Sequence, residues 1–306
     1  MIGFIARRLL FAIPTILGVI FVVMLTIELV PGDPVELMLG EHATKEAVEK
    51  VRTALGLDQP VVTRYLLYVR NLLRGDMGRS IRENREVTKE IADVWPATLE
   101  LTLAAMVFAI VLGIAAGVLS AVAPNSWFDN LNRVVSLLGL SMPVFWTGLV
   151  LIVLFSFWLR LFPVGGTGSL RHLVLPAFTL SLPSIAMISR MTRSSVLEVL
   201  REDYIRTARA KGLSFKVVIL RHALKNALIP IVTLSGLQTG QLMGGAILTE
   251  TVFGWPGLGR LMVRAIFARD YILLQGAVLV FALAFVLINI LVDISYSFLD
   301  PRVSTR

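Results

Sequence analysis

Side chains that could do chemistry are few in this sequence, and they do not converge on one place. The histidines, His42, His172 and His222, lie far apart and show no metal-ligand spacing. Cysteine is absent, which excludes disulfides and thiolate chemistry. No nucleophile stands beside a candidate general base, as an enzyme would require. The sequence therefore predicts a chain with no catalytic residue, no metal site and no cofactor of its own.

Nucleotide hydrolysis by this chain is excluded in the same way, because the sequence contains no G-x-x-x-x-G-K-[ST] phosphate loop. If ATP drives the protein, the ATP and its Mg²⁺ must be bound by a different subunit. The net charge of +8 could indicate a nucleic-acid partner. The basic residues concentrate beside apolar stretches, however, as they do in the cytoplasmic loops of membrane proteins. We therefore expect contact with membrane lipid and no contact with nucleic acid.

The composition indicates that most of the chain lies in a membrane. Hydrophobic residues make up 56% of it and charged residues only 16%, against roughly 25% charged in soluble domains. Six stretches lack charged residues for long enough to cross a hydrocarbon core of ~30 Å. They are Leu9–Ile27, Leu101–Phe128, Val134–Leu159, Leu173–Ser189, Asn226–Thr249 and Tyr271–Val292. The predicted fold class is all-α, a polytopic membrane protein with six transmembrane helices.

The distribution of charge predicts which side of the membrane each loop occupies. Residues 190–225 carry nine Lys and Arg against three acidic residues, the strongest basic bias in the chain, and are predicted to be cytoplasmic. Residues 31–97 carry ten basic and eleven acidic residues, as a small folded domain outside the cytoplasm would. Alternation between these segments places both termini in the cytoplasm. The predicted divisions are a first helix in 1–30, the extracytoplasmic domain in 31–97, a five-helix core in 98–298 and a tail in 299–306.

The cytoplasmic loop has a pattern of its own. Val196, Leu200, Tyr204, Ile205 and Ala208 recur at helical spacing with charges between them. A glycine, which can adopt positive φ, follows at position 212 and is expected to end the helix before a second basic stretch, Phe215–Leu224. The apolar face of such a cytoplasmic helix needs a cover. A groove on a partner protein would supply one, and an anionic lipid surface is the alternative.

These residues resemble a known family. Arg206-Thr207-Ala208-x-x-x-Gly212 is similar to the EAA-x-x-x-G loop of ABC importer permeases, and Asp203–Gly212 to its form in the dipeptide/oligopeptide/nickel family. Further matches to that family are Pro31–Pro34, Leu55–Pro60, Thr249–Gly259 and Leu299–Arg302. Two positions depart from the general importer pattern, since Arg206 replaces the glutamate and Lys225 stands where a proline is expected.

The resemblance implies a bacterial cytoplasmic-membrane importer. Its partners would be a homologous second permease, two cytoplasmic ATPase subunits that bind ATP and Mg²⁺, and an extracytoplasmic substrate-binding protein. The loop would dock in a groove on the ATPase and transmit its movements. The residues implied for this coupling are Tyr204, Ile205, Arg206, Thr207, Ala208 and Gly212. We expect Tyr204 and Ile205 to be the anchors buried in the groove, because large aromatic and aliphatic side chains dominate such interfaces.

Small and neutral polar residues alternate along the fifth predicted span. Gly236, Gly240 and Gly244 recur every four residues on one face, which suits either close helix packing or a path for substrate. Polar residues among them, namely Gln238, Thr239 and Gln241, favour a helix lining a wet translocation path. Gly113 and Gly117 repeat the glycine spacing in the second span, where we expect plain helix packing. Pro143 is expected to kink the third span.

The segment after the fifth span is a candidate outer gate or docking surface for the binding protein. It begins at Glu250 and includes Trp255, Pro256 and Gly257. The expected substrate is a di- or oligopeptide, with a nickel chelate, glutathione or a short oligosaccharide as alternatives. A channel that works without ATP is the alternative from another class, and it would need no coupling loop.

Overall fold

The computed structural model describes residues 2–29, 44–54, 56 and 58–299. Regular structure in this part of the chain is helical, apart from a single bridge between Arg79 and Glu86. The motif Pro31–Pro34, part of Leu55–Pro60, and all of the tail after Leu299 lie outside the described residues. The prediction of an all-α fold is confirmed.

Twelve α-helices follow one another in the described residues, joined in two places by π-helical turns. The first part of the chain forms α1 (Ile2–Leu29), α2 (Lys45–Ala54), α3 (Val61–Leu72), α4 (Val87–Val122), α5 (Trp127–Ser141) and α6 (Val144–Leu151), which continues as a π-helical segment, Ile152–Trp158. The remainder forms α7 (Leu170–Val199), α8 (Asp203–Ala210), α9 (Phe215–Val217), the π-helical segment Val218–Ala223, α10 (Leu224–Val252), α11 (Leu258–Ala268) and α12 (Tyr271–Leu299).

Five helical stretches in the described residues are long and apolar enough to cross a membrane. They are Leu10–Leu29, Val87–Val122, Leu170–Val199, Phe215–Val252 and Tyr271–Val292. The third predicted span is instead a pair, Trp127–Ser141 and Val144–Trp158, that meets at 114°. The break falls at Met142 and Pro143, both of which have extended ψ angles. Pro143 lacks a backbone N–H and disfavours helical ψ at the residue before it, Met142, so the predicted kink is present and is sharp.

The packing of the first and last helices indicates whether the bent pair crosses the membrane. The end of α1 and the start of α12 line a common cavity, with Met24 and Ile27 from α1 and Tyr271 and Gln275 from α12. These two ends therefore lie on the same side of the membrane, and an even number of crossings must separate them. Three unbroken spans lie between them, so the bent pair has to supply a fourth crossing. The total is six, as the sequence predicts.

The described chain divides into two compact units, of which the first comprises Met1–Ala97 and Pro256–Leu287. One of its cores packs Val87 and Ile91 of α4 against Leu258 and Leu261 of α11, together with α12. A second core joins α1 and α12 to α3 through a cluster around Ile20, Met24, Leu279, Tyr65 and Tyr68. Residues 44–97, predicted as a separate extracytoplasmic domain, thus share their cores with α1, α11 and α12; their side of the membrane stays a prediction.

The second unit comprises Thr98–Trp255 and Ile288–Arg306, and α7 is its most buried span. The backbone of α4 approaches α7 closely at two glycines. A Cβ at Gly113 would lie 2.8 Å from Ile188 Cγ2, and one at Gly117 would lie 2.5 Å from both Ser189 O and Thr192 Cβ. The helix-packing interpretation of this glycine pair is therefore confirmed, because only glycine permits such approach.

Helix boundaries differ from the predicted spans mainly at polar ends. The second span begins at Val87, well before Leu101, and the fifth begins at Phe215, before Asn226. Absence of charge marks the apolar part of a span, whereas the helix itself continues into water. The pattern from Val196 to Ala208 also forms two helices and not one, because the chain turns between Val199 and Asp203, with Glu202 extended at ψ 147°.

The close contact at Gly117 predicts a specific loss of stability. Gly117→Ala should force α4 and α7 apart and destabilise the folded permease by about 1–3 kcal/mol, as overpacking does. Gly18→Ala, in α1, is the matched control: a Cβ there has no heavy atom within 4 Å, and alanine favours helix by up to about 1 kcal/mol. Thermal unfolding of the two purified variants should show a lower Tm for Gly117→Ala alone. Equal midpoints would contradict the packing assigned to this pair.

Candidate functional site

The loop between α7 and α10 is a short helix held by a glycine turn. Its helix, α8, runs from Asp203 to Ala210 and ends before Gly212, whose φ is +76°. The Gly212 N–H donates to the Arg209 carbonyl at 3.0 Å, and the Leu213 N–H donates to the Ala208 carbonyl at 3.4 Å. The predicted glycine stop with positive φ is confirmed. No heavy atom crowds a Cβ at position 212, so the need for glycine comes from the backbone alone.

The apolar face of α8 is covered by the chain itself. Ile205 is fully buried and Ala208 is nearly so, packed against Val218 and Ala223 of the following π-helical turn. Val199 and Leu200, at the end of α7, complete this small core. The expectation that a partner groove supplies the cover is therefore wrong, and Ile205 has no surface to offer a partner. The spacing reveals the apolar face, but it does not reveal which residues fold back over it.

The exposed face of α8 presents different side chains. Tyr204 is 41% exposed, and Arg206 and Thr207 are exposed beside it. The Tyr204 hydroxyl accepts a hydrogen bond from Asn226 Nδ2 at 2.7 Å, which ties the helix to the beginning of α10. Arg206 lies 3.5 Å from the Asp203 carboxylate, an exposed pair of little energetic weight. With Ile205 and Ala208 turned inward, α8 also has little apolar surface for lipid.

An ion pair with a buried carboxylate joins the start of α5 to α7, and no pattern in the sequence predicted it. Asp129, in the first turn of α5, has no exposed surface. Arg193 of α7 donates to both of its oxygens, from Nε to Oδ1 at 2.6 Å and from Nη2 to Oδ2 at 2.8 Å. The Asn125 backbone N–H and Arg133 Nη2 also donate to Oδ2, at 2.8 and 3.1 Å. This is the bidentate geometry in which arginine binds carboxylates most strongly.

A second polar contact reinforces the same junction. The Asn132 side-chain amide donates to Ser120 Oγ of α4 and to Ser189 Oγ of α7, each at 2.9 Å. The segment 125–133 is therefore fixed to two membrane helices by side chains. The available signal was an acidic residue at Asp129 followed four residues later by Arg133, which is helical spacing.

The predicted translocation residues on α10 separate onto different faces. Gln238 and Gly240 are buried, Gly236 and Thr239 are half-buried, and Gln241 and Gly244 are exposed. The Thr239 hydroxyl donates to the Ser235 carbonyl one turn earlier at 3.1 Å, so its proton is used within the helix. The structure therefore brings only Gln241 and Gly244 of this set to the free surface of the chain.

Those two residues belong to a continuous exposed stripe along α10. It comprises Thr233, Leu237, Gln241, Gly244 and Leu248, at successive intervals of four, four, three and four residues. A Cβ at Gly244 would have no heavy atom within 4 Å, so glycine is not needed there for packing in this chain. No charged residue occurs between Asn226 and Thr249. The stripe thus offers apolar and neutral polar groups along most of a membrane span.

The predicted outer surface is mostly interior. Glu250 is fully buried and accepts a hydrogen bond from Thr98 Oγ1 at 2.6 Å. Trp255 is 2% exposed, and its backbone N–H donates to the Glu250 backbone carbonyl at 2.8 Å. Gly257 is buried as well, and only Pro256 of the predicted set is exposed. The Gly166 N–H bonds the Phe253 carbonyl at 2.9 Å, so another loop helps to cover this segment.

Two protein families match the chain in order. Residues 1–102 match the N-terminal region of a binding-protein-dependent transport system membrane component, and residues 109–305 match a binding-protein-dependent transport system inner membrane component. The family resemblance proposed from the motifs is thereby confirmed.

Curated relatives cover the chain from end to end. A dipeptide transport system permease protein of Alkalihalophilus pseudofirmus is 46% identical, and so is a di/tripeptide transport system permease protein of Pseudomonas aeruginosa. A glutathione transport system permease protein of Escherichia coli is 44% identical, and each alignment covers 99% of both chains. The chain therefore belongs to the inner membrane components of binding-protein-dependent transport systems, as a multi-pass permease of an ABC importer that is not itself an enzyme.

Proposed function

We propose that this permease passes short peptides, delivered by an extracytoplasmic binding protein, across the membrane. The observation that supports this most is the exposed stripe of α10, which carries Thr233, Gln241 and Gly244 and no charge. A peptide is a zwitterion. The Thr233 hydroxyl donates its proton to the Ile229 carbonyl at 2.9 Å, so it can only accept from the peptide's ammonium group, whereas the Gln241 amide can bond either end. Neither group is charged, so neither end of the peptide is trapped. A path for a bare metal ion would need histidine or carboxylate side chains as successive ligands. The span has neither residue type between Asn226 and Thr249.

The relatives support the same chemical class. Their names give dipeptides, di/tripeptides and glutathione as substrates, and glutathione is itself a tripeptide. The nearly equal identities, 46% and 44%, do not favour dipeptides over glutathione. Glutathione is therefore the second candidate substrate, and it carries one more carboxylate than a simple dipeptide.

The coupling to ATP follows from the two faces of α8. In this proposal the exposed Tyr204, Arg206 and Thr207 meet a cytoplasmic ATPase subunit, while the buried Ile205 and Ala208 hold the helix to its own chain. A push on α8 would pass to α10 through Tyr204 and Asn226. It would pass to α5 through α7 and the pairing of Arg193 with Asp129.

The remaining parts of the proposal follow the family. A second homologous permease would pack beside this one, and two ATPase subunits would hold the ATP and Mg²⁺. Both termini and the α8 loop would lie in the cytoplasm. Pro256, as the exposed member of the outer segment, is the residue of that segment that could meet the binding protein or the gate.

Substitutions at Gly212 test the coupling assignment through backbone strain. Gly212→Val should insert and fold but lose ATPase association or transport, because a β-branched residue resists the φ of +76° at a cost of about 1–3 kcal/mol. Gly212→Asn is the matched control, since asparagine tolerates this conformation, and it should keep most of the activity. Co-purification of the ATPase and ATP-driven uptake are the measurements. Equal, near wild-type behaviour of both variants would contradict the assignment.

Two substitutions at Tyr204 distinguish the proposed contact of its ring with the ATPase from its hydrogen bond to Asn226. Tyr204→Ala should weaken ATPase association by about 1–3 kcal/mol, or roughly 5–150-fold, if the ring is an interface anchor. Tyr204→Phe should retain association, because it loses only the bond to Asn226. If both variants bind the ATPase as the wild type does, Tyr204 is not an anchor.

Measuring solute uptake by the complete importer tests whether the substrate is a peptide. Proteoliposomes containing both permeases and the ATPases, with binding protein added outside, should accumulate radiolabelled di- or tripeptide only when ATP is supplied inside. Glutathione, a short oligosaccharide and a nickel chelate are measured in parallel. ATP-dependent accumulation of one of the last two, without any peptide uptake, would rule out peptides.

A further inference from the structure

A cavity of about 260 Å³ lies within the first unit, between α1, α3, the loop after α3 and the start of α12. One part of its wall is apolar, with Met24, Ile27 and Leu67. Another part carries polar and charged side chains, namely Arg64, Tyr68, Asn71, Asp76, Tyr271 and Gln275. The cavity is thus amphipathic, and nothing in the transport path described above uses it.

Three polar atoms in this wall are buried without a partner. Tyr68 Oη, Tyr271 Oη and Gln275 Nε2 make no hydrogen bond to any residue that the structure describes. Tyr271 is only 9% exposed and Gln275 only 7%. A buried polar group left unpaired costs about 1–3 kcal/mol, so their convergence on one cavity calls for a common bonding group. All three can donate, so a group rich in acceptor oxygens would satisfy them together.

The cavity lies at the level of the membrane boundary. Met24 and Ile27 belong to the last turns of the span Leu10–Leu29, and Tyr271 and Gln275 to the first turns of Tyr271–Val292. At this level the ester and phosphate groups of lipids meet their acyl chains, and tyrosines are enriched there in membrane proteins. A lipid is the acceptor-rich molecule present at that depth.

Helix α3 extends the apolar wall toward the hydrocarbon. The Tyr65 hydroxyl donates to the Leu17 carbonyl at 3.3 Å, and the Tyr65 ring packs edge-on against Phe21 at 5.4 Å between centroids. Leu17 is near the middle of the α1 span, so α3 lies beside α1 below the membrane boundary. The outward face of α3 leaves Val62 and Leu66 about 60% exposed. An acyl chain is the natural cover for such a surface at that depth.

We propose that this cavity binds one phospholipid, with its glycerol-ester and phosphate oxygens at Tyr68, Tyr271 and Gln275 and an acyl chain along α3. The cavity of about 260 Å³ takes the glycerol–phosphate region of the lipid, and the acyl chains lie outside it. The chain continues over Leu67, which is part of the wall and 40% exposed, onto Leu66 and Val62. The bound lipid fixes α3 against α1 and α12 at one leaflet.

The test uses the full-length permease, purified in detergent and stripped of lipid. Added phosphatidylglycerol should raise the Tm of the wild type by several degrees, and native mass spectrometry should show one retained phospholipid. Tyr271→Phe combined with Gln275→Leu should lose both effects, and without lipid it should be at least as stable as the wild type, because two unpaired donors are gone. Tyr65→Phe, on the same α3 surface but with a paired hydroxyl, is the control and should keep the lipid response.

Other occupants give different results. Soluble glycerol 3-phosphate and a dipeptide are added in separate arms. A dipeptide that raises the Tm through the same residues, with no response to phosphatidylglycerol, would make this a peptide site. No response to any of the three, or an equal lipid response in the wild type and the double variant, would overturn the proposal and leave a cavity filled by water.

Discussion

A carboxylate with no exposed surface holds α5, α7 and the loop before α5 together at one end of the second unit. Asp129 keeps its charge inside the protein because Arg193 binds both of its oxygens and Asn125 and Arg133 add further donors. Removing Arg193 would leave the buried carboxylate without its two strongest donors and would destabilise this junction. The constraint is therefore geometric: α5 cannot leave α7 at this end without exposing or neutralising Asp129. Since α7 also leads into α8, the loop proposed to contact the ATPase and the bent third span are both attached to α7.

The rest of the unit makes this attachment rigid. The glycines of α4 let its backbone lie against α7 at Gly113 and Gly117, where larger residues would not fit. On the other side, α8 rests on its own small core around Ile205 and reaches α10 through Tyr204 and Asn226. The loop is thus part of the folded body of the permease and not a flexible arm. Force applied to its outer face reaches helices on both sides of α7 without an unfolded link.

Much of this architecture is readable from the sequence, for a physical reason. Membrane spans must exclude charge over their whole apolar length, and a helix stop with positive φ needs glycine, so the spans, Gly212 and the break at Pro143 leave local signals. Tertiary pairing leaves none. Asp129 and Arg193 are 64 residues apart, and the burial of Ile205 depends on Val218 and Ala223 folding back over it. The same limit explains why the sequence predicted Glu250 and Trp255 at an outer surface although they are buried.

The stoichiometry of transport tests the mechanical role of Asp129 most directly. Peptide accumulated per ATP hydrolysed is measured in proteoliposomes for the wild type, Asp129→Asn, and the double variant Asp129→Asn with Arg193→Gln, which leaves no unpaired buried charge. The account predicts that the double variant assembles and hydrolyses ATP but moves several-fold less peptide per ATP. Arg133→Gln, which removes only the half-exposed donor, should remain close to the wild type. A wild-type ratio in both Asp129 variants would contradict the claim that this ion pair carries the movement.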